Sequence, residues 1–130
     1  MKTVITLLFP FFLFLVTHNA RAQSSSERVI LGKENAKQEL QLAFSDSLTS
    51  KSYYLTEVIK DSTSTINAIE HFLFNKFGRS KTLEECPYEI YHFESYWVVS
   101  GTLPKGMEGG TFSFVLNETN NKIIRLKLGQ

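Results

Sequence analysis

The sequence predicts an α+β domain in which two helices precede and pack on a curved antiparallel β-meander. Three observations carry this. Apolar residues recur every third or fourth position in two stretches before residue 78. They alternate with polar residues in several short stretches after residue 87. Short turn-forming sequences separate those later stretches. Helices first and strands afterwards, with no βαβ alternation, is the α+β pattern.

The first helix is expected over 33–48, where Ala36, Leu40, Phe44 and Leu48 recur every fourth residue with Ala43 beside them. Ser45, Asp46, Ser47, Thr49 and Ser50 end it, because short polar side chains compete for backbone hydrogen bonds. The stretch YYLTEVI, 53–59, is aromatic and β-branched and reads as an extended segment or short strand. A second helix follows, with Asp61 or Ser62 as N-cap. Its stripe is Ile66, Ile69, Leu73 and Phe77, widened by Ala68, Phe72 and Phe74. So wide an arc implies deep burial, and Gly78 supplies its left-handed stop. Residues 79–85 read as a polar loop.

Strands are expected over 88–93, 96–103, 110–117 and 122–128. Glu94-Ser95 makes one tight turn, and Asn121 takes a left-handed conformation in the last. Trp97, Val99, Phe112, Phe114, Leu116, Ile124, Leu126 and Leu128 fall on one face. Ser113 falls on the opposite face.

The 130 residues fit one domain. Residues 1–22 read as a signal peptide: Lys2 precedes an apolar run from Val4 to Val16, and Ala20-Arg21-Ala22 is a small-x-small cleavage pattern. The run is shorter than the roughly 20 residues that span a bilayer, so no stable membrane anchor is expected after cleavage. Residues 23–32 are expected to be a flexible N-terminal segment and 33–130 the domain. The chain is expected to be exported, periplasmic or secreted. Fourteen basic and 13 acidic side chains lose Lys2 and Arg21 on cleavage, leaving near-neutrality. Nothing in that balance attracts nucleic acid. The single cysteine, Cys86, excludes an internal disulfide.

Catalytic and metal motifs do not occur. Zinc needs three or four converging ligands, and no HxH, CxxC or HExxH spacing exists. No GxSxG is present, and Gly109-Gly110 opens a strand where a phosphate loop would open a helix. No metal or cofactor is expected. Glu70 lies within the apolar arc of the second helix. With Tyr88, Tyr91 and His92 it could line a pocket for acid–base chemistry; alternatively it pairs with a neighbouring cation at the margin of the stripe. The 103–108 loop mixes Lys105, Met107 and Glu108 with a proline and is the candidate partner-binding surface.

The order Trp97-Val98-Val99, Gly101-Thr102-Leu103, Gly109-Gly110-Thr111-Phe112 and Leu128-Gly129-Gln130 resembles one family. Ile69-Glu70, Phe77-Gly78 and Cys86-Pro87-Tyr88 extend the likeness, which runs from about Val58 to Gln130. The family is the immunity proteins with a nuclear-transport-factor-2-like fold from bacterial polymorphic toxin systems. The resemblance implies that fold. It also implies a non-enzymatic protein that neutralises a cognate toxin by stoichiometric binding; the expectation of export rests on the N-terminal pattern. The alternative is a periplasmic small-molecule-binding protein or a lyase- or isomerase-like enzyme using the concave pocket.

Overall fold

The computed structural model describes residues 27–46 and 52–129. The expected signal peptide, residues 23–26 and Leu48 lie outside them. The elements are α1 (Gly32–Asp46), β1 (Tyr53–Tyr54), α2 (Ser62–Phe77), α3 (Arg79–Leu83), β2 (Glu89–Phe93), β3 (Tyr96–Ser100), β4 (Ser113–Asn117) and β5 (Lys122–Lys127). The strands form one antiparallel sheet in the order β1-β5-β4-β3-β2.

Helix α2 begins at a capping box. The Asp61 carboxylate accepts the Ser64 N–H at 2.8 Å, and the Ser64 hydroxyl accepts the Asp61 N–H at 3.0 Å. It ends at Gly78, whose φ of 88° suits glycine but whose ψ of 149° lies outside the expected left-handed helical region. Gly78 also starts α3, so the polar stretch expected as a loop is partly helical. The Thr82 hydroxyl donates to the Gly78 carbonyl at 2.9 Å.

The main core lies between α2 and one face of the sheet. Ala68, Ile69 and Leu73 meet Trp97, Val99, Phe112, Phe114, Leu116 and Ile123. Aromatic edges fill it: Phe72 on Phe114 at 5.6 Å and Tyr88 on Phe112 at 5.3 Å.

A bulge in β5 changes one expected position. Val115 pairs with Arg125, but Leu116 pairs with Ile123, leaving Ile124 as the extra residue. Ile123 therefore takes the core position expected for Ile124. Ile124 packs on the other face with Val98 and Val115. Leu128, also expected inside, is 40 % exposed because β5 ends at Lys127.

That other face is covered by α1, so the sheet lies between the two helices. Ala36 and Ala43, with Leu40, sit against Val98, Val115, Tyr91, Phe93 and Tyr96. The inward line of α1 is Ala36, Glu39 and Ala43. Phe44, expected in the stripe, is half-exposed, with its ring 5.1 Å from Tyr96. Ser113 is consequently buried under α1 rather than facing water.

Strands β3 and β4 are shorter than expected. Gly101 N–H donates to the Phe112 carbonyl at 3.0 Å, and the chain then turns away: Thr102 N–H bonds the Glu85 carbonyl at 2.9 Å. A Cβ at Gly101 would overlap the Glu85 side chain, so only glycine fits there. The turns match expectation better. Glu94 and Asn121 take positive φ values of 52° and 57°. Glu118 N–H ties the two turns together through the Ser95 carbonyl at 2.9 Å.

Candidate functional site

The stretch before α1 is fastened to the sheet end. Arg28 bridges Pro104, Val29 N–H donates to the Leu103 carbonyl at 2.9 Å, and Lys105 N–H donates to the Glu27 carbonyl at 2.7 Å. Residues 27–29, placed in the expected flexible segment, thus run antiparallel to 103–105. Arg28 Nη1 adds bonds to the carbonyls of Glu84 and Thr102, at 3.1 and 3.2 Å.

Glu89 anchors the start of α1. Its carboxylate accepts the Leu31 and Gly32 N–H groups, each at 2.9 Å. A helix N-terminus presents unpaired N–H groups and positive potential, and a carboxylate satisfies both. The Tyr91 hydroxyl donates to the same carboxylate at 3.0 Å. Burial, and then this bond to Glu89, push the Tyr91 pKa up.

These fastenings leave a cavity of about 250 Å³ between the N-terminal stretch, α1 and the sheet end. Val29, Leu31, Leu103 and Met107 form its apolar walls, and Asn35 and Lys127 contribute polar groups. Val29, Leu31 and Met107 are 42 %, 52 % and 61 % exposed. Glu39 also lines it but is already answered by Arg125, Nε to Oε2 3.0 Å. Ser113 lies at the same cavity, and its buried Oγ has no hydrogen-bond partner.

Among the expected partner-binding residues, Met107 lines the cavity and Lys105 pairs with Glu27 beside it. Glu108 is exposed on the same loop.

The four pocket candidates separate. Glu70 and Tyr88 meet on the α2 side, with the Tyr88 hydroxyl donating to Glu70 Oε1 at 2.9 Å. Glu70 thus pairs with a tyrosine, where a cation was the expected marginal partner. Burial, the neighbouring Cys86 thiol and Glu70 all push the Tyr88 pKa up, which keeps it a donor at neutral pH. Tyr91 is on the α1 face with Glu89. His92 lies at the β2–β3 hairpin, stacked on Trp97 with ring centroids 4.0 Å apart. His92 Nε2 and the Trp97 indole N–H share Glu118 Oε2, at 3.0 and 2.8 Å.

A second cavity, about 150 Å³, is lined by Leu73, Phe77, Phe112, Leu128 and Glu85 among others. Glu85 Oε2 accepts the Phe112 N–H at 2.8 Å. Burial nonetheless raises its pKa, outweighing that bond and the nearby Lys81 charge. None of Glu70, Tyr88, Tyr91 and His92 lines either cavity. Among the described residues, no three His, Cys, Asp or Glu side chains gather as a metal site, and no helix is long and apolar enough to cross a membrane.

Glu89, Glu39, Arg125, Asn35 and Lys127 were not singled out from sequence. The alternation that sets Glu89 with Tyr91 and Phe93 was the available signal of a second covered face.

Comparison with known proteins agrees with this framework. Two proteins of Escherichia coli K12 are each 24 % identical to the chain. "Uncharacterized protein YhhH" aligns over 91 % of this chain and 84 % of its own length. "Uncharacterized protein YbbC" aligns over 88 % and 86 %. No solved structure matches. The profile of the NTF2 fold immunity proteins matches residues 64–130, which include nearly all of α2 and the whole β2–β5 meander. With just over half its length so matched, the chain belongs to the NTF2 fold immunity protein family.

Proposed function

We propose that this protein neutralises a toxin by stoichiometric binding, without chemistry of its own, and that it acts after export. The family match over residues 64–130 is the observation that carries the reading. The N-terminal apolar run and Ala20-Arg21-Ala22 pattern support export to the periplasm or beyond. The exposed 103–108 loop, held in place by residues 27–29, is the proposed contact region, with Lys105, Met107 and Glu108 facing the partner. A loop fixed at its base can present a defined surface without a large ordering cost on binding.

The test is co-expression with candidate toxins encoded beside the gene, then titration of the purified partners. One-to-one complex formation that accompanies protection supports the reading. Protection without a complex would overturn it. The alternative, a ligand-binding protein or a lyase- or isomerase-like enzyme using a pocket of Glu70, Tyr88, Tyr91 and His92, keeps only the Glu70–Tyr88 contact, which lines neither cavity. It predicts small-molecule turnover that is lost in Glu70→Gln.

A further inference from the structure

The cavity beneath residues 29–31 combines features that limit what can occupy it. Small-molecule pockets usually enclose about 300–1,000 Å³, and a cavity of about 150 Å³ accepts benzene. At about 250 Å³ this one suits a single large side chain. Its mouth is apolar and unusually exposed: Val29, Leu31 and Met107 are among the most accessible large hydrophobic residues of the described chain. Partner recognition concentrates in such pockets, where one anchor residue is desolvated against apolar walls.

Charge narrows the occupant further. Glu39, at the cavity wall, pairs with Arg125 at 3.0 Å, a guanidinium it shares with Asp46. Lys127 lines the same cavity and makes no ion pair with a described residue. Asn35 lines the cavity too, with its side-chain amide bonded to no described group. Lys127 is thus the cavity's cation that no described carboxylate meets, and its polar complement is a carboxylate.

We infer that the cavity receives an aromatic anchor side chain of the neutralised toxin, with a carboxylate of the same toxin segment set against Lys127. This rests on the toxin-binding reading above and adds the chemistry of the contact. The N-terminal wall of the cavity, Val29 to Glu39, lies outside the stretch that the family profile matches, whereas Leu103, Met107 and Lys127 lie inside it. The anchor site is thus assembled from the family's sheet and from a segment preceding the matched region.

The cavity is tested first with small probes on the purified protein. 3-Phenylpropanoate, 3-phenylpropanol and 3-phenylpropylamine share the ring and differ in charge. The acid should move the amide resonances of Gly101, Leu103, Met107 and Ser113. It should bind about 2–5-fold more tightly than the alcohol, the factor one exposed ion pair supplies, and the amine should bind more weakly than either. Lys127→Gln should bring the acid down to the level of the alcohol. Met107→Ser, a neutral change at an exposed position that removes part of the apolar wall, should weaken all three. No shift at these amides, or equal affinity for acid and amine, would overturn the inference.

A toxin that the wild-type protein neutralises supplies the second arm. Leu31→Asp combined with Lys127→Glu should lower affinity at least about tenfold, as loss of a buried anchor does. Leu42→Asp, exposed elsewhere on α1, should leave it unchanged. Neutralisation undiminished by the double change overturns the inference alone. Failure of the wild type to bind any candidate toxin overturns the toxin-binding reading, while the probe titration still decides the cavity's chemistry.

Discussion

Glu39 on α1 and Arg125 on β5 meet across the sheet's second face, 86 residues apart in sequence, with Nε 3.0 Å from Oε2. Their side chains are only 12 % and 19 % exposed, and Arg125 also reaches Asp46 at 2.5 Å. The bulge at Ile124 makes this possible, because it turns Ile124 and Arg125 toward α1 while Ile123 stays in the main core. One irregularity in β5 thus serves both layers.

Removing one member of this pair should be worse than removing both. Arg125→Ala leaves the Glu39 carboxylate largely buried without its partner and should destabilise by about 3 kcal/mol. Glu39→Leu with Arg125→Met replaces the pair by apolar groups and should recover most of that loss. Denaturant midpoints of the three proteins check this. A double variant as unstable as Arg125→Ala would show that the loss comes from repacking.

The neighbouring strand separates burial from satisfaction. Phe114 is fully buried in the main core, and Phe114→Ala should cost about 3–5 kcal/mol. Ser113 is buried too, but its hydroxyl has no partner. Ser113→Ala removes an unmet polar group and should change stability by less than about 0.5 kcal/mol, or raise it. Chemical denaturation decides, and equal losses at the two positions would contradict the register.

How far the sequence discloses this fold depends on whether the deciding interactions are local. The cap at Asp61, the left-handed Asn121 and the inward rings of Phe112 and Phe114 follow from near neighbours and period, and they were readable. The bulge was not, since Lys122 to Leu128 alternates acceptably without one. The second covered face was only partly legible. Val98, Val115, Tyr91 and Phe93 pattern as apolar, yet α1 offers them a narrow line of alanines with a glutamate between. The candidate site was least legible. Met107 and its loop stood out, but Asn35, Glu39 and Lys127 join it only through the tertiary fold.

Stability near Glu85 should depend on pH in a defined sense. Burial raises its folded pKa above the ordinary glutamate value of 4.5, so the folded protein holds this proton more firmly than the unfolded chain. Stability from this group therefore falls as pH rises from about 4.5 through the folded pKa. Glu85→Gln keeps a carbonyl for the Phe112 N–H and removes the buried charge. It should stabilise at pH 7 and lose that advantage below pH ~4, where both side chains are neutral. Melting temperatures at the two pH values test this; a variant less stable at pH 7 would mean that the carboxylate's bond to Phe112 outweighs its desolvation.

The last prediction separates binding from chemistry. If the protein acts by occupying a toxin, protection should survive Glu70→Gln and His92→Asn in variants that still fold. Glu70 then serves to hold Tyr88, and His92 to stack on Trp97 and meet Glu118. Charge reversal at the 103–108 loop should act differently. Lys105→Glu breaks the ion pair with Glu27 and sets two acids together beside the cavity mouth. Glu108→Lys adds a cation to the exposed loop. Rim charges govern encounter rate and partner choice more than folding, so the two reversals should shift the association rate and its salt dependence in opposite senses while melting temperatures stay close to wild type. Stopped-flow association with a neutralised toxin, at low and high salt, reads this directly. Unchanged association in both reversals would move the contact away from this loop, whereas protection lost in Glu70→Gln with folding intact would favour the pocket chemistry instead.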